Sequence, residues 1–201
     1  MDTHDLKFKF LEHFSDAICE YDFSQLALRS IEEKLGLDYH TSDLMFEQGF
    51  AEILTHYNDL NNQKLLESLN NLDLSASGFR DKISIAIFLK LTSQNKDFLK
   101  KVSSFYLKPS NIKLGMDHAW ANVDFIWSWA GDKSIDYNFY SKRIILEGIY
   151  LYCLRFYIKD TSENNIDTKH FVHNSVHKTV DTLTKVKKFK FSNLPILRYF
   201  L

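Results

Sequence analysis

Glycine, proline and cysteine are scarce in this chain. Its 201 residues include six glycines, two prolines and two cysteines. So few chain breakers favour long helices over a fold with many tight turns. Cys19 and Cys153 lie in apolar helical patterns, without zinc-ligand spacing or disulfide density, which indicates reduced core residues. The sequence therefore predicts an all-α protein in a reducing compartment.

Long apolar runs and N-terminal targeting patterns are also missing. The most apolar run, residues 144–158, is too short to span a bilayer and carries Glu147 and Arg155. The N-terminus, MDTHDLKFKFLEHF, has early acidic residues and no apolar signal-peptide core. It also lacks the Arg- and Ser-rich composition of a transit peptide. No signal or transit peptide is therefore expected, and a cytoplasmic protein is favoured.

Apolar residues recur at helical spacing along most of the chain. The first four helices are predicted as a long helix, two short helices separated by Gly36, and a long helix from about Gly49. This is the layout of a helix-turn-helix unit, and it resembles the N-terminal part of TetR-type regulators. Ser24 and either Thr41 or Ser42 are expected to cap the short helices. After a weak linker, DLSASG, further helices are predicted at about 79–92, 96–107, 112–129, 137–159 and 166–188.

The helix-turn-helix unit lacks the charge needed to bind DNA. Residues 35–63 contain no Lys or Arg, and they include five carboxylates. Cations that neutralise phosphates supply most of the non-specific affinity for DNA. We therefore expect no nucleic-acid binding.

A polar and aromatic segment, AGDKSIDYNFYSKR at 130–143, separates two apolar stretches. Phe139 and Arg143 are i,i+4 neighbours that share a helical face with Asp136. Exposed aromatic rings beside an arginine are typical of an interface hot spot. The same residues are also compatible with an ordinary helix N-terminus, capped by Asp136, whose rings pack inward.

Residues 119–160, AWANVDFIWSWAGDKSIDYNFYSKRIILEGIYLYCLRFYIKD, resemble the Coq-nine type accessory family of ubiquinone (coenzyme Q) biosynthesis. Phe139 and Ser141 depart from the Trp and Thr that are usual in the family. The residues that match its motif are Asp124, Trp127, Ala130, Gly131, Asp132, Ser134, Asp136, Asn138, Phe139, Tyr140, Lys142, Arg143, Tyr150 and Asp160.

The resemblance implies a TetR-like homodimer without DNA binding. It implies a non-catalytic accessory protein that presents a polyprenylated quinone precursor from the membrane to a partner di-iron hydroxylase. No cofactor is expected, but a bound isoprenoid lipid or phospholipid is. Three regions follow: a helix-turn-helix-like unit at 1–72, a lipid-binding and dimerisation domain at 73–183, and a membrane-contacting tail at 184–201. The residues expected to bind the partner are Asp136, Phe139, Tyr140, Lys142 and Arg143.

The apolar helices at 112–129 and 144–158 predict either an ordinary core or the walls of a lipid pocket. Helices that are hydrophobic all round are expected to be buried on every side. Gly148 would allow a ligand or another backbone to approach closely. The residues expected to line a lipid pocket are Trp120, Phe125, Trp127, Tyr150 and Leu154.

The C-terminal segment, KVKKFKFSNLPILRYFL, combines basic and bulky apolar residues, which suit an anionic membrane surface. A frayed terminus or a segment packed on the dimer mate are the alternatives. With membrane contact, we expect a bacterial cytoplasmic protein that is peripheral on the inner membrane. The residues expected to touch the membrane are Lys187, Lys188, Phe189, Phe191, Ile196, Leu197 and Phe200.

Metal and catalytic motifs are weak. His170, His173 and His177 share a helical face, but no partner ligands are evident, so a solvated polar face is favoured over a metal site. The paired Glu-x-x-His motifs of a bundle-type di-iron site are absent, and no nucleophile motif or phosphate loop stands out. We therefore expect neither a metal site nor an enzyme. A TetR-like transcription regulator that senses a lipid is the alternative function.

Overall fold

A computed structural model describes residues 3–131 and 137–186 of the chain. Within these ranges the protein is helical and contains no strand, which confirms the all-α class and agrees with a TetR-like arrangement. The elements are α1 (Thr3–Tyr21), α2 (Gln25–Leu35), α3 (Thr41–Met45), α4 (Phe50–Asn70), α5 (Phe79–Thr92), α6 (Lys96–Tyr106), α7 (Ile112–Trp129), α8 (Tyr137–Lys159), a 3₁₀ turn (Glu163–Asn165) and α9 (Ile166–Val186).

The caps of the short helices differ in part from the predictions. Gly36 ends α2 with a left-handed φ of 64°, as expected. Ser24 stands at the N-cap position of α2, as predicted, but its side chain makes no capping hydrogen bond, because its hydroxyl donates to the carbonyl of Tyr21 at 2.7 Å. Ser42 does not cap α3 either: its backbone N–H and its hydroxyl both donate to the buried carboxylate of Glu32, at 2.7 and 2.6 Å. A carboxylate from α2 thus satisfies the N-terminus of α3 and holds the turn between the two helices.

The interior contains two hydrophobic clusters. The first is rich in aromatic rings and joins α1 to α4: the ring of Phe14 lies 5.6 Å from that of Tyr57 and 6.0 Å from that of Phe98. The second joins α5, α7, α8 and α9 with the end of α4, which contributes Leu65 and Leu69. Helices α4 and α6 therefore belong to both clusters; in α6, Phe98 packs in the first cluster and Leu99 in the second. The division of the chain at residue 72 stays a prediction.

Helix α8 is not buried on every side, which corrects the expectation from its apolar sequence. Ile144 and Tyr152 are each 60% exposed and Leu151 is 45% exposed. Gly148 is also exposed on this side of the helix. In the described part of the chain, no helix is both long enough and apolar enough to cross a membrane. Ile144, Leu151 and Tyr152 thus form an exposed apolar stripe on α8 that faces away from the core.

Candidate functional site

A cavity of about 70 Å³ lies between α4, α6, α7 and α8. Its apolar walls come from all four helices, because their core-facing positions converge there. Gly115 of α7 makes this convergence possible, since a Cβ at that position would lie 2.7 Å from the Cβ of Tyr106. The close approach expected at Gly148 occurs at Gly115, whereas a Cβ at Gly148 would meet nothing within 4 Å. The apolar wall includes Leu54, Phe98, Leu99, Val102, Leu151 and Leu154.

A hydrogen-bonded histidine forms one polar wall of the cavity. His118 Nε2 lies 3.0 Å from the hydroxyl of Thr55, and His118 Nδ1 lies 2.6 Å from the hydroxyl of Tyr106. The Thr55 hydroxyl already donates to the carbonyl of Ala51 at 3.0 Å, so Nε2 carries the proton and Nδ1 accepts from Tyr106. Burial lowers the pKa of His118 and raises that of Tyr106, which keeps the imidazole and the phenol neutral.

Two amide groups in the cavity wall have unused hydrogen-bonding capacity. The Nδ2 of Asn58 and the Oδ1 of Asn122 are buried and meet no hydrogen-bond partner among the described residues. The Nδ2 of Asn122 makes one long contact, 3.5 Å, with the hydroxyl of Tyr150. A buried polar atom without a partner costs about 1–3 kcal/mol. One free donor and one free acceptor therefore suit a ligand that offers both an oxygen acceptor and a hydroxyl.

The size of the cavity limits what it holds in this conformation. A pocket for a drug-sized ligand measures about 300–1,000 Å³. The 70 Å³ observed here leaves room for the edge of a ring but not for an isoprenoid chain. A long lipid would therefore require the helices around the cavity to separate.

The structure brings only two of the five predicted lipid-lining residues to the cavity. Tyr150 and Leu154 line the cavity. Trp127 is buried elsewhere, stacked on Phe79 at a ring distance of 5.2 Å. Phe125 is half-buried and packs against the second hydrophobic cluster, and Trp120 stacks on Tyr140 at 6.3 Å.

The predicted partner-binding residues divide between surface and interior. Tyr140 is 60% exposed, whereas Arg143 is only 2% exposed and forms an ion pair with Asp124 at 2.5 Å. Lys142 is half-buried, with its Nζ 5.9 Å from the centre of the Trp127 ring. Asp136 and the side chain of Phe139 lie outside the described residues. Among the predicted residues whose side chains the structure describes, Tyr140 is therefore the most accessible, and Arg143 anchors the start of α8 to α7.

The remaining predicted sites are placed only in part. All seven residues expected to touch a membrane, within 187–201, lie outside the described residues. Of the three histidines, His170 is exposed and stands apart, whereas His173 and His177 both approach Asp81 of α5. Asp81 is 96 positions from His177 in the sequence, so helical spacing alone could not have identified it.

Sequence reasoning also missed three buried polar groups. His118 and Lys90 are polar residues in apolar helices, which is a signal that a search for interrupted apolar faces would detect. Burial lowers the pKa of Lys90 to about 7, although Asp59 opposes the shift, and its ammonium donates to Oδ1 of Asn62 at 2.7 Å. Asp160 matches the family motif but has a structural role, since it accepts hydrogen bonds from Ser162 and Thr168.

Comparison with known proteins identifies relatives of this chain. The COQ9 family model matches residues 112–182, which include α7 and α8 and most of α9. A Dictyostelium discoideum protein, named probable ubiquinone biosynthesis protein coq9, mitochondrial, is 28% identical over 92% of this chain and 62% of its own length. The Xenopus tropicalis ubiquinone biosynthesis protein COQ9, mitochondrial, is 29% identical over 72% of this chain and 48% of its own length.

The human protein of the same name is 25% identical over 79% of this chain and 52% of its own length. The alignments thus span from about half to 62% of the length of these three relatives. All three are named as mitochondrial proteins. The expectation of a bacterial cytoplasmic location is therefore wrong, and the relatives point to a mitochondrial location instead.

The match of the family model covers α7 and α8, two of the four helices around the cavity. It includes the Asp124–Arg143 ion pair, the exposed Tyr140 and the cavity residues Asn122 and Tyr150. The Dictyostelium relative extends the similarity over nearly the whole chain. The chain is therefore similar to COQ9 proteins of ubiquinone biosynthesis, through the family model at residues 112–182 and through the Dictyostelium relative over most of its length.

Proposed function

We propose that this protein is a non-catalytic accessory factor of ubiquinone biosynthesis, which binds a polyprenylated ring precursor and presents it to a partner hydroxylase. The names of its relatives support the role in ubiquinone biosynthesis. The observation that carries the finer proposal is the cavity with apolar walls and two unpaired amide groups, on Asn58 and Asn122. Such a combination suits a small polar ring attached to an apolar chain.

The chemistry of the precursor matches both parts of the cavity. A carbonyl or hydroxyl oxygen on the ring would accept from Nδ2 of Asn58, and a ring hydroxyl would donate to Oδ1 of Asn122. The isoprenoid chain would lie against the aliphatic side chains of Leu99 and Leu154. Entry of the chain would require α8 to move, and the exposed Leu151 marks where the cavity wall meets the surface.

The surface at the start of α8 is the proposed docking site for the hydroxylase. Tyr140 stacks on Trp120, and together they give an exposed aromatic surface at the α7–α8 corner. The ion pair between the buried Arg143 and the partly exposed Asp124 holds this corner in place. Aromatic anchors on a rigid support are the usual energetic centre of protein interfaces.

Dimerisation and membrane contact belong to the same proposal. The exposed apolar stripe of α8, with Ile144, Leu151 and Tyr152, is a surface that a second copy of the chain would cover. The basic and aromatic composition of residues 184–201 supports contact with an anionic membrane. A polyisoprenoid chain stays in the bilayer, so a carrier needs such contact to collect it.

Native mass spectrometry with lipid extraction tests the carrier role. The wild-type chain should co-purify with an isoprenoid quinone precursor, or take one up from vesicles that contain it. Replacement of Asn122 by Leu keeps the branching of the side chain but removes the amide acceptor and donor, so retention of the ring precursor should fall by about 10-fold. Asn174→Leu is the matched control, because Asn174 is exposed on α9. Equal retention by both variants would place the ring elsewhere, and no lipid on any variant would refute the carrier role.

The helix-turn-helix layout of α2 and α3 favours one second candidate, a lipid-sensing transcription regulator. Such a protein should retain DNA at low salt and release it steeply as the salt concentration rises. Helix α3 has five residues, carries Asp43 and contains no Lys or Arg. We therefore expect no salt-dependent retention, and its observation would favour the regulator over the carrier.

A further inference from the structure

Two histidines on α9 and one aspartate on α5 converge on a single point at the surface. His177 Nε2 lies 3.1 Å from Asp81 Oδ1, and His173 Nε2 lies 3.7 Å from the same oxygen. The two imidazole rings are stacked, with centroids 4.1 Å apart and planes inclined by 22°. One ligand atom from each of the three residues lies within 4.8 Å of the other two.

This arrangement has the dimensions of a metal site. In a tetrahedral zinc site, bonds of about 2.0–2.1 Å place neighbouring donor atoms about 3.4 Å apart. The distances of 3.1 and 3.7 Å from the two Nε2 atoms to Asp81 Oδ1 lie on either side of this value. Small side-chain rotations would therefore bring all three donors to bonding distance of one ion.

The charges of the cluster also suit a cation. Two stacked imidazoles that both carried protons would repel each other, whereas neutral imidazoles are good ligands for divalent transition metals. The carboxylate of Asp81 supplies negative charge, and its side chain lies in the first turn of α5. Between 30% and 54% of each of the three side chains is exposed, so an ion can enter from solvent.

We propose that Asp81, His173 and His177 form a binding site for a divalent transition-metal ion of the zinc class. The three residues supply two nitrogens and one oxygen, and the remaining coordination positions face solvent. A bound ion would replace the hydrogen bond between His177 and Asp81 and would clamp α9 to α5. Because α9 leads into the basic tail, occupancy of the site would stabilise the helix from which residues 187–201 continue.

Metal titration of the full chain tests the proposal. Affinity tags are removed first, because a polyhistidine tag would bind the same ions. Calorimetric titration with Zn²⁺ after chelator treatment should give one ion per chain. Zn²⁺ at about 100 times its Kd should raise Tm by about 5–10 °C.

Variants of the three residues identify the site. Asp81→Asn, His173→Gln and His177→Gln should each weaken Zn²⁺ binding by more than about 100-fold, since loss of outer-shell partners alone costs 10–100-fold. His170→Gln is the matched control on the same helix, and its affinity should change by less than about two-fold. Thermal melts without metal should be similar for all four variants, because every altered side chain is at least partly exposed.

Three results would overturn the proposal. The wild-type chain would bind no Zn²⁺; Asp81→Asn would bind as tightly as wild type; or His170→Gln would weaken binding as much as His177→Gln. The last two results would place the ion on the exposed face of α9 alone. The cavity residues are unchanged in all of these variants, so failure here would leave the carrier proposal standing.

Discussion

The carboxylate of Asp160 joins the end of α8 to the beginning of α9, and replacing it should destabilise the protein measurably. Asp160 is 8% exposed. Its Oδ1 accepts from the N–H of Ser162 at 2.7 Å, and its Oδ2 accepts from the N–H of Thr168 at 2.9 Å and from the Thr168 hydroxyl. In Asp160→Asn the amide keeps one acceptor, while its NH₂ group faces donors.

The loss of these hydrogen bonds determines how strongly Asp160→Asn should destabilise the protein. At least one of the three bonds, that from the Ser162 N–H, loses its acceptor, and a buried donor left without one costs about 1–3 kcal/mol. The two bonds from Thr168 would then be made to a neutral amide oxygen, which is a weaker acceptor than a carboxylate. We expect Asp160→Asn to lower the free energy of unfolding by about 3 kcal/mol. For a chain of this length, Tm should fall by about 6–12 °C. Urea denaturation at neutral pH, followed by circular dichroism, measures the effect.

The pH dependence of the free energy of unfolding gives a second test of the role of Asp160. Burial alone would raise the pKa of Asp160, but the hydrogen bonds from Ser162 and Thr168 outweigh it and hold the pKa well below its usual range. A depressed pKa contributes stability that is complete above the unfolded value, about 3.9, and is lost as the pH falls toward the folded value. The difference in free energy of unfolding between wild type and Asp160→Asn should therefore be constant from about pH 5 upward and should become smaller below about pH 4.

Asp117→Asn is the matched control for this experiment. Asp117 forms an exposed i,i+4 ion pair with Lys113, with 57% of the Asp117 side chain exposed. Surface pairs of this kind contribute about 0–1 kcal/mol. Equal effects of the two substitutions, or a difference between wild type and Asp160→Asn that does not narrow in acid, would refute the role assigned to Asp160.

Two further predictions concern the helix contacts and the docking surface. Gly115→Ala should lower the free energy of unfolding by about 1–3 kcal/mol, because the new Cβ would overlap Tyr106. Gly148→Ala, in open space within α8, should raise it by up to about 1 kcal/mol. Urea denaturation of both variants checks this, and the opposite order would show that α6 and α7 do not meet at Gly115. Tyr140→Ala should weaken hydroxylase binding by more than about 10-fold while changing stability by less than about 1 kcal/mol. Arg143→Ala should lower the free energy of unfolding by about 2–4 kcal/mol, because it empties the space of a large buried side chain and breaks its ion pair with Asp124. Calorimetric binding and thermal melts separate the effects of the two substitutions, and unchanged binding by Tyr140→Ala would exclude Tyr140 from the interface.

Local patterns in the sequence were enough to predict the helices. Gly36 ends α2 as predicted, and the bounds of α5 and α7 agree with the apolar periodicity, because both signals depend on residues close in sequence. The 3₁₀ turn at Glu163–Asn165 was not predicted. It depends on left-handed φ values of 51° and 55° at Asn164 and Asn165, which apolar periodicity does not encode.

The arrangement of the sites depends on contacts that are distant in sequence. Spacing alone placed Phe139 and Arg143 on one face of α8, but it could not say that Arg143 points toward Asp124 of α7. The sequence alone indicated Gly148 as a place where another backbone could approach closely. In the structure the close approach occurs at Gly115, where α7 packs against Tyr106 of α6, and a Cβ at Gly148 would meet nothing within 4 Å. The ligand set of the proposed metal site was incomplete for the same reason, because Asp81 comes from another helix.

Helix α6 has a consequence for how the molecule responds to force and to ligand. Its neighbouring residues Phe98 and Leu99 are buried in different clusters. Separation of the two clusters would therefore remove apolar contacts from α6. We therefore expect the two clusters to unfold together, although the linker at 73–78 interrupts the helices. Phe98 and Leu99 also line the cavity, so a ligand that widens the cavity pushes on the same helix that supports α1 and α4. If a ligand occupies the cavity as proposed, we expect α6 to shift together with its contacts to α1 and α4.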